Sequence, residues 1–283
     1  MDLLHGKTIP INLYGLKINY LSPKQSNLQF PIVIEIADSK ILLHAILEVL
    51  AYFVAFRYFL YLRKKEGDSI VQTNRMWIII AAIFGSLIGS RLIGGLEDPT
   101  QIQKAENILF YFYANKTVLG GFLGGLFGVE FVKKLIGEKQ ASGDLFTFPM
   151  LLGLLIGRIG CFSMGVYEET YGIATNFFAG MDLGDGIKRH PVTLYEIVFL
   201  CLIGWTISFI TKKRPLVQGA SFKLFLIGYC LFRFLCDIIK PHYNLWLGLS
   251  TIQYTALIGL LWYSPYISKP GRLFDQHQKE TII

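Results

Sequence analysis

Seven apolar blocks, each roughly 18–22 residues long, run through this sequence, and that length is what a hydrocarbon core about 30 Å thick demands of a helix rising about 1.5 Å per residue. They fall near residues 41–62, 76–95, 117–136, 145–162, 193–210, 220–239 and 246–263 of the 283. In lipid each backbone N–H and C=O must be paired within the protein, so helices are the expected form. The expected fold is all-α, a seven-span transmembrane helix bundle. Residues 1–40 are sequence of another kind. Their short apolar stretches are broken by Pro10, Pro23 and Pro31, which reads as short strands or an irregular cap. The expected organisation is a small extramembrane N-terminal cap at 1–40 on the outer face, a membrane domain at 41–263 and a cytoplasmic tail at 264–283.

Charge placement supports this reading. The chain is 53% hydrophobic and only 17% charged, too little charge for an ordinary soluble domain. Its formal net charge is +7, but the Lys and Arg residues gather in short loops. No basic helix is interleaved with aromatics, so nucleic acid is not an expected partner and membrane lipids are. Arg63, Lys64, Lys65 and Arg75 mark one loop, Lys133, Lys134 and Lys139 a second, and Lys212, Lys213 and Arg214 a third. Placing these richer loops inside puts the N-terminus outside and the C-terminus in the cytoplasm. No basic-then-apolar leader precedes the first span, which is expected to act as the insertion signal. The cysteines, Cys161, Cys201, Cys230 and Cys236, form no CxxC. They read as small apolar packing residues rather than a disulfide framework or a zinc site.

Ionisable groups inside a bilayer are costly, so each needs a reason. Arg57 and Lys133 lie near inner ends and can snorkel to water. Glu130 is deeper, at pairing distance from Lys134 one turn on. The remainder share an address in the outer half of the bundle. Glu48 lies early in the first span, one turn after His44. Arg91 is near the outer end of the second span and Arg158 near that of the fourth. His190 and Glu196 open the fifth. Arg233 and Asp237 sit one turn apart in the sixth, after Tyr229. Any one pair is as well explained as a structural ion pair between helices. Several arginines at one depth repel unless an anion neutralises them, and the planar guanidinium fork suits phosphate. The set therefore points to an anionic headgroup. Gly120, Gly121, Gly124, Gly125 and Gly128, like Gly153 and Gly157, make small-xxx-small rows that read as close helix packing. The long loops at 96–116 and 163–192 both fall on the outer side, and Asp182-Leu183-Gly184-Asp185-Gly186 in the second reads as a turn.

The stretch Gly157-Arg158-Ile159-Gly160-Cys161-Phe162, followed by Tyr171-Gly172, resembles the signature of the prolipoprotein diacylglyceryl transferases. Gly89-Ser90-Arg91, Arg189-His190-Pro191 with Leu194-Tyr195-Glu196, and Tyr229 with Phe232-Arg233 and Asp237 extend the likeness in order from about 41 to 263. The resemblance implies transfer of the diacylglyceryl group of phosphatidylglycerol to the lipobox cysteine thiol of a prolipoprotein, in a bacterial inner membrane, with no metal or cofactor. It implies that Arg158 and Arg233 hold headgroup and leaving group beside Tyr229, and that Glu169 and Gly172 end the signature, Glu169 orienting the headgroup. Arg91 and Asp237 join the substrate-binding set. The expected His before the paired glycines of the third span is Leu119, the signature's usual Asn is Cys161, and Ile46 stands where the family tends to have Tyr. For the missing base, His190, Glu196, Glu169 and Asp237 all remain open. Two other readings stand beside transfer to a lipobox cysteine: a same-fold paralogue with another acceptor, and a non-catalytic phospholipid-binding or transporter-like membrane protein. The absence of an internal repeat lowers the transporter option.

Overall fold

Helix ends in this chain are set by side chains placed to catch the backbone groups that a helix leaves unpaired. In the computed structural model, which describes residues 9–13, 16–20, 29–36 and 39–274, ten α-helices are found among the described residues. Helix α1 (Leu43–Glu66) ends on Arg63, Lys64 and Lys65, cations suited to the negative end of the helix dipole. Helix α2 (Gln72–Gly95) follows. Two short helices, α3 (Pro99–Lys104) and α4 (Ile108–Ala114), are capped by Asp98 and Asn107. Thr117 accepts from the Gly120 amide to start α5 (Val118–Leu135). Helices α6 (Asp144–Met164), α7 (Val192–Lys213) and α8 (Ala220–Cys236) come next. Helix α8 borrows its cap, since the Asp144 carboxylate accepts from the Gly219 amide at 2.5 Å and the Phe222 amide at 3.3 Å. Ser250 and Gln253 form a reciprocal capping box at the start of α9 (Thr251–Trp262). Helix α10 (Ser264–Ser268) is a short turn beyond it.

All seven apolar blocks became helices, but not all are equal. Helices α1, α2, α6 with its following turn, and α7 are long and apolar enough to cross a membrane. Helix α5 carries Glu130, Lys133 and Lys134 in its 18 residues, α8 has 17 residues, and α9 has 12. Twelve residues rise about 18 Å, short of a core about 30 Å thick. Length and composition thus support four crossings where the sequence predicts seven. The block at 145–162, short and holding Pro149 and Arg158, is one of the four. Its Pro149 lies inside α6, past the first turn, and removes one N–H from the hydrogen-bond ladder. Phe53, Phe56, Phe84, Ile88 and Trp205 stand exposed on these helices, a surface that belongs in lipid.

Among the described residues of the N-terminal segment, the short strands expected there are present. Strands β1 (Ile9–Leu13), β2 (Leu16–Tyr20), β3 (Val33–Ile36) and β4 (Ser39–Leu42) form one antiparallel sheet in that order. The other residues of the expected cap at 1–40, apart from 29–32, lie outside those described, as do 275–283 of the expected tail. The predicted turn around Gly184 joins two short strands, β5 (Met181–Asp182) and β6 (Lys188–Arg189). The Asp182 carboxylate accepts from the Gly184 and Gly186 amides.

The chain divides into two compact units. One draws on residues up to Phe56 and on Leu151–Leu200; the other comprises Arg57–Met150 and Cys201–Ile283. In the second, α2 and α5 approach backbone to backbone. A Cβ on Gly124 would stand 2.2 Å from the Gly85 carbonyl oxygen, and one on Gly89 2.4 Å from that of Gly120. The small-residue rows are therefore contact surfaces, as their spacing predicts. In the same unit the buried Arg75 donates to Asp68 and to the Ser142 carbonyl. Burial alone would raise the Asp68 carboxyl, but the hydrogen bonds from Arg75 and Arg63 and from the Ile70 amide outweigh it and hold the group below its usual range. Glu130 pairs with Lys133 at 3.2 Å, three residues on rather than the four the spacing predicts for Lys134.

This packing predicts a sharp contrast along one helix. Gly124→Ala meets backbone that cannot move aside and should destabilise the protein by about 1–3 kcal/mol. Gly121→Ala meets only the Ser90 and Ser86 atoms at 3.6 and 3.7 Å and should leave stability unchanged or slightly raised. Thermal unfolding of both variants in detergent checks this.

Candidate active site

A charged side chain survives in a helix core only beside its counter-ion, and the first unit contains such a pair. Arg158, on α6, places Nε 2.9 Å from Glu196 Oε1 on α7, with side chains 8% and 1% exposed. Three residues on, one turn along the same face, Cys161 Sγ lies 3.6 Å from Arg158 Nη1. The other side of the sulfur faces Glu168, whose Oε1 is 3.5 Å away. Glu168 Oε2 lies 3.4 Å from His44 Nδ1, and His44 Nε2 is 3.8 Å from Glu48 Oε2. Five ionisable residues and a thiol thus form one continuous polar run.

Local backbone geometry makes the run possible. Gly160 lets α1 come close to α6, since a Cβ there would stand 3.3 Å from His44 Nδ1 and from Leu47 Cβ. Helix α6 then ends at Gly165, whose φ of +59° favours glycine and whose missing Cβ makes room for the Leu183 carbonyl. The 3₁₀ turn Gly165–Tyr167 follows, and it brings Glu168 back alongside Cys161.

Other expected site residues of this unit serve the loop. The His190 amide donates to the Ile173 carbonyl, and its own carbonyl accepts from the Gly172 amide at 2.9 Å. Its Nδ1 is 3.1 Å from the Tyr195 hydroxyl. Arg189 donates to Asp185 and lies over the Tyr171 ring. The Arg189 guanidinium beside Asp185 holds that carboxyl below the usual carboxylate range. Glu169 is exposed, and the carboxylate in the polar run is its neighbour Glu168. Sequence reasoning missed Glu168. An Arg158, Cys161 and Glu168 set separated by a turn gives no spacing signal, although His44 and Glu48 were legible at one helical turn.

The second unit holds the remaining candidates. Tyr229 is fully buried, edge-on to Phe122 at 5.1 Å and tilted against Phe225 at 5.9 Å. Arg233, one turn later, is buried. Asp237 accepts from the Ser250 hydroxyl and lies 3.9 Å from His242 Nδ1, joining the end of α8 to the cap of α9. The Arg91 guanidinium sits 4.9 Å over the Tyr113 ring. Leu119, at the position expected to be His, is 1% exposed in the apolar core.

The family model described as prolipoprotein diacylglyceryl transferase matches residues 31–265. The chain belongs to that family. Curated members similar to it carry the name phosphatidylglycerol–prolipoprotein diacylglyceryl transferase. That of Treponema denticola is 28% identical over 250 residues, covering 68% of this chain and 73% of its own. That of Nitratidesulfovibrio vulgaris is 33% identical over 222 residues, covering 69% and 75%. That of Idiomarina loihiensis is 30% identical over 226 residues, covering 74% and 82%. Membership makes this chain a transferase-family protein of bacterial lipoprotein biosynthesis, and its apolar helices fit the membrane that such proteins occupy.

The Arg158–Glu196 pair carries a quantitative expectation. Glu196→Leu leaves a buried guanidinium without its carboxylate and should cost about 3–5 kcal/mol. The double variant Arg158→Leu/Glu196→Leu should recover most of that loss. A double-mutant cycle by thermal unfolding in detergent measures the coupling.

Proposed function

We propose that this protein transfers the diacylglyceryl group of phosphatidylglycerol to the lipobox cysteine thiol of a prolipoprotein, releasing glycerol phosphate. The observation that carries the reading is the family match across residues 31–265, on which Arg158 of the signature is a buried arginine aligned by a carboxylate. The names of the relatives supply the substrate pair. Bacterial inner-membrane residence, seven crossings, an outer cap and an N-terminus outside are part of the same proposal, on the strength of the loop charges.

The chemistry is displacement at carbon. A thiolate attacks the glycerol carbon, the bond from that carbon to the phosphate oxygen breaks, and the electron pair leaves on phosphate. Charge grows on the leaving phosphate, so fixed cations aimed at it lower the barrier. Arg158 suits that role: Glu196 Oε1 lies 2.9 Å from its Nε as a buried counter-ion, and the planar guanidinium fork matches phosphate oxygens. In this reading Glu196 is a positioning residue and not the base. Arg233, with Tyr229 one turn before it, is carried over as an anion ligand by its motif, and Arg91 by the same argument. Asp237 and Gly172 hold the backbone that presents these groups, and His190 braces the loop through Tyr195. Glu169 remains the proposed headgroup contact from the exposed loop. A proton must also leave the acceptor sulfur, and Leu119 cannot take it.

Complementation tests the proposal. Cells depleted of their own transferase and expressing this chain should attach diacylglycerol to a lipobox reporter. Arg158→Ala and Arg233→Ala should abolish the modification, and Arg233→Lys should be impaired because an ammonium lacks the bidentate fork. Correctly inserted protein that yields no modified reporter rules out this activity, and full activity in both alanine variants rules out the phosphate-ligand roles.

A further inference from the structure

One imidazole, one thiol and one carboxylate converge where the chain leaves α6. The ligand atoms of His44, Cys161 and Glu168 all lie within 4.8 Å of one another. The individual separations are more telling. Bonds near 2.0–2.1 Å to nitrogen and oxygen and 2.3 Å to sulfur, at tetrahedral angles, put an N and O ligand about 3.4 Å apart and an S and O ligand about 3.6 Å apart. Here the imidazole and the thiol face different oxygens of one carboxylate, His44 Nδ1 at 3.4 Å from Glu168 Oε2 and Cys161 Sγ at 3.5 Å from Glu168 Oε1, so the carboxylate sits between both donors. The ring nitrogen of His44 that faces away lies 3.8 Å from Glu48 Oε2, an ion-pair separation longer than a hydrogen bond, on the side where a metal-bound imidazole directs its second N–H. A nitrogen, a sulfur and an oxygen donor together suit zinc, a borderline-soft ion with no geometric demand of its own.

We propose that, in departure from the metal-free chemistry the family resemblance implies, His44, Cys161 and Glu168 form a zinc site with three protein ligands, whose fourth position takes the acceptor thiol. The acceptor assignment rests on the transferase reading above; the metal site itself does not. Three protein ligands leave the open position of a catalytic rather than a structural site. Binding zinc forms a metal–sulfur bond at Cys161 and releases the thiol proton to solvent. The acceptor thiol then displaces water from the fourth position, and its own proton goes to solvent, because a coordinating thiol is deprotonated outright. The bound thiolate forms the new carbon–sulfur bond as the carbon–oxygen bond to phosphate breaks and glycerol phosphate leaves. The deprotonation that Leu119 cannot perform is thereby supplied without a general base. Two anionic ligands neutralise the ion, and the incoming thiolate adds one negative charge. The Arg158 guanidinium, 3.6 Å from the Cys161 sulfur, places phosphate binding and sulfur activation side by side.

The test begins with metal alone. The full chain, purified in detergent and stripped with a chelator, is dialysed against zinc and, separately, against cobalt. One zinc per chain is expected, with a thiolate-to-cobalt charge-transfer band in the near ultraviolet. Cys161→Ser should abolish the band and stoichiometric zinc, while Cys201→Ser, at an exposed cysteine, leaves both intact. Glu48→Gln should weaken affinity about 10–100-fold. Adding a cysteine-containing lipobox peptide to the cobalt protein should intensify the band, and a serine peptide should not. Folded protein that takes up no zinc, or a band that persists in Cys161→Ser, overturns the site and leaves His44, Glu168 and Glu48 as an ion pair only. A band unaltered by the cysteine peptide overturns the acceptor role. None of these readouts needs phosphatidylglycerol, so failure of the metal site and failure of the transfer reaction are separable.

Discussion

The Arg158–Glu196 ion pair is the constraint on which the rest of the polar run depends. A guanidinium at 8% exposure and a carboxylate at 1% are each intolerable alone in an apolar setting and tolerable together. Their pairing fixes α6 against α7 and fixes the face of α6 that turns toward polar partners. Cys161 inherits that face because it lies three residues along, and Glu168 meets it because the chain turns at Gly165. A cation–carboxylate pair of this kind usually stabilises little by itself. Its value here is placement: the buried arginine is kept beside Glu196 on one side and Cys161 on the other.

Glycines do the complementary work of distance. The pair α2 and α5 close backbone to backbone at Gly85, Gly89, Gly120 and Gly124, and in the other unit Gly160 admits His44 to the side of Cys161. Without a hydrophobic drive between helices in lipid, such close approach supplies the dispersion contact that holds them. The same closeness lets short side chains on different helices, His44 and Cys161 among them, come within reach of one carboxylate.

The sequence made the helices legible because apolar block length is a direct image of bilayer thickness. Four of the seven blocks are long and apolar enough as helices to cross a membrane. Glu130, Lys133 and Lys134 sit inside the α5 block, and α9 ends at Trp262 after only 12 residues; an average over a window conceals both. The arginines were legible because intramembrane charge is rare, and Glu196 because it lies near the start of a span. Glu168 was not legible. It stands in a loop, where carboxylates are ordinary, and only the turn at Gly165 gives it significance. Cys161 read as a packing residue for the same reason: nothing along the chain shows that His44, more than a hundred residues earlier, faces the same carboxylate. The four-stranded sheet was half legible, since its prolines and broken apolar runs exclude a span without fixing strand pairing.

Movement of a diacylglyceryl group from phosphatidylglycerol to a cysteine thiol is the function proposed for this protein. Its most direct test uses purified protein, vesicles containing isotopically labelled phosphatidylglycerol and a lipobox peptide, read by mass spectrometry. Transfer makes the peptide heavier by one labelled diacylglyceryl group on its cysteine, with one glycerol phosphate released for each peptide modified. Folded protein that leaves the cysteine peptide unmodified and releases no glycerol phosphate rules this transfer out.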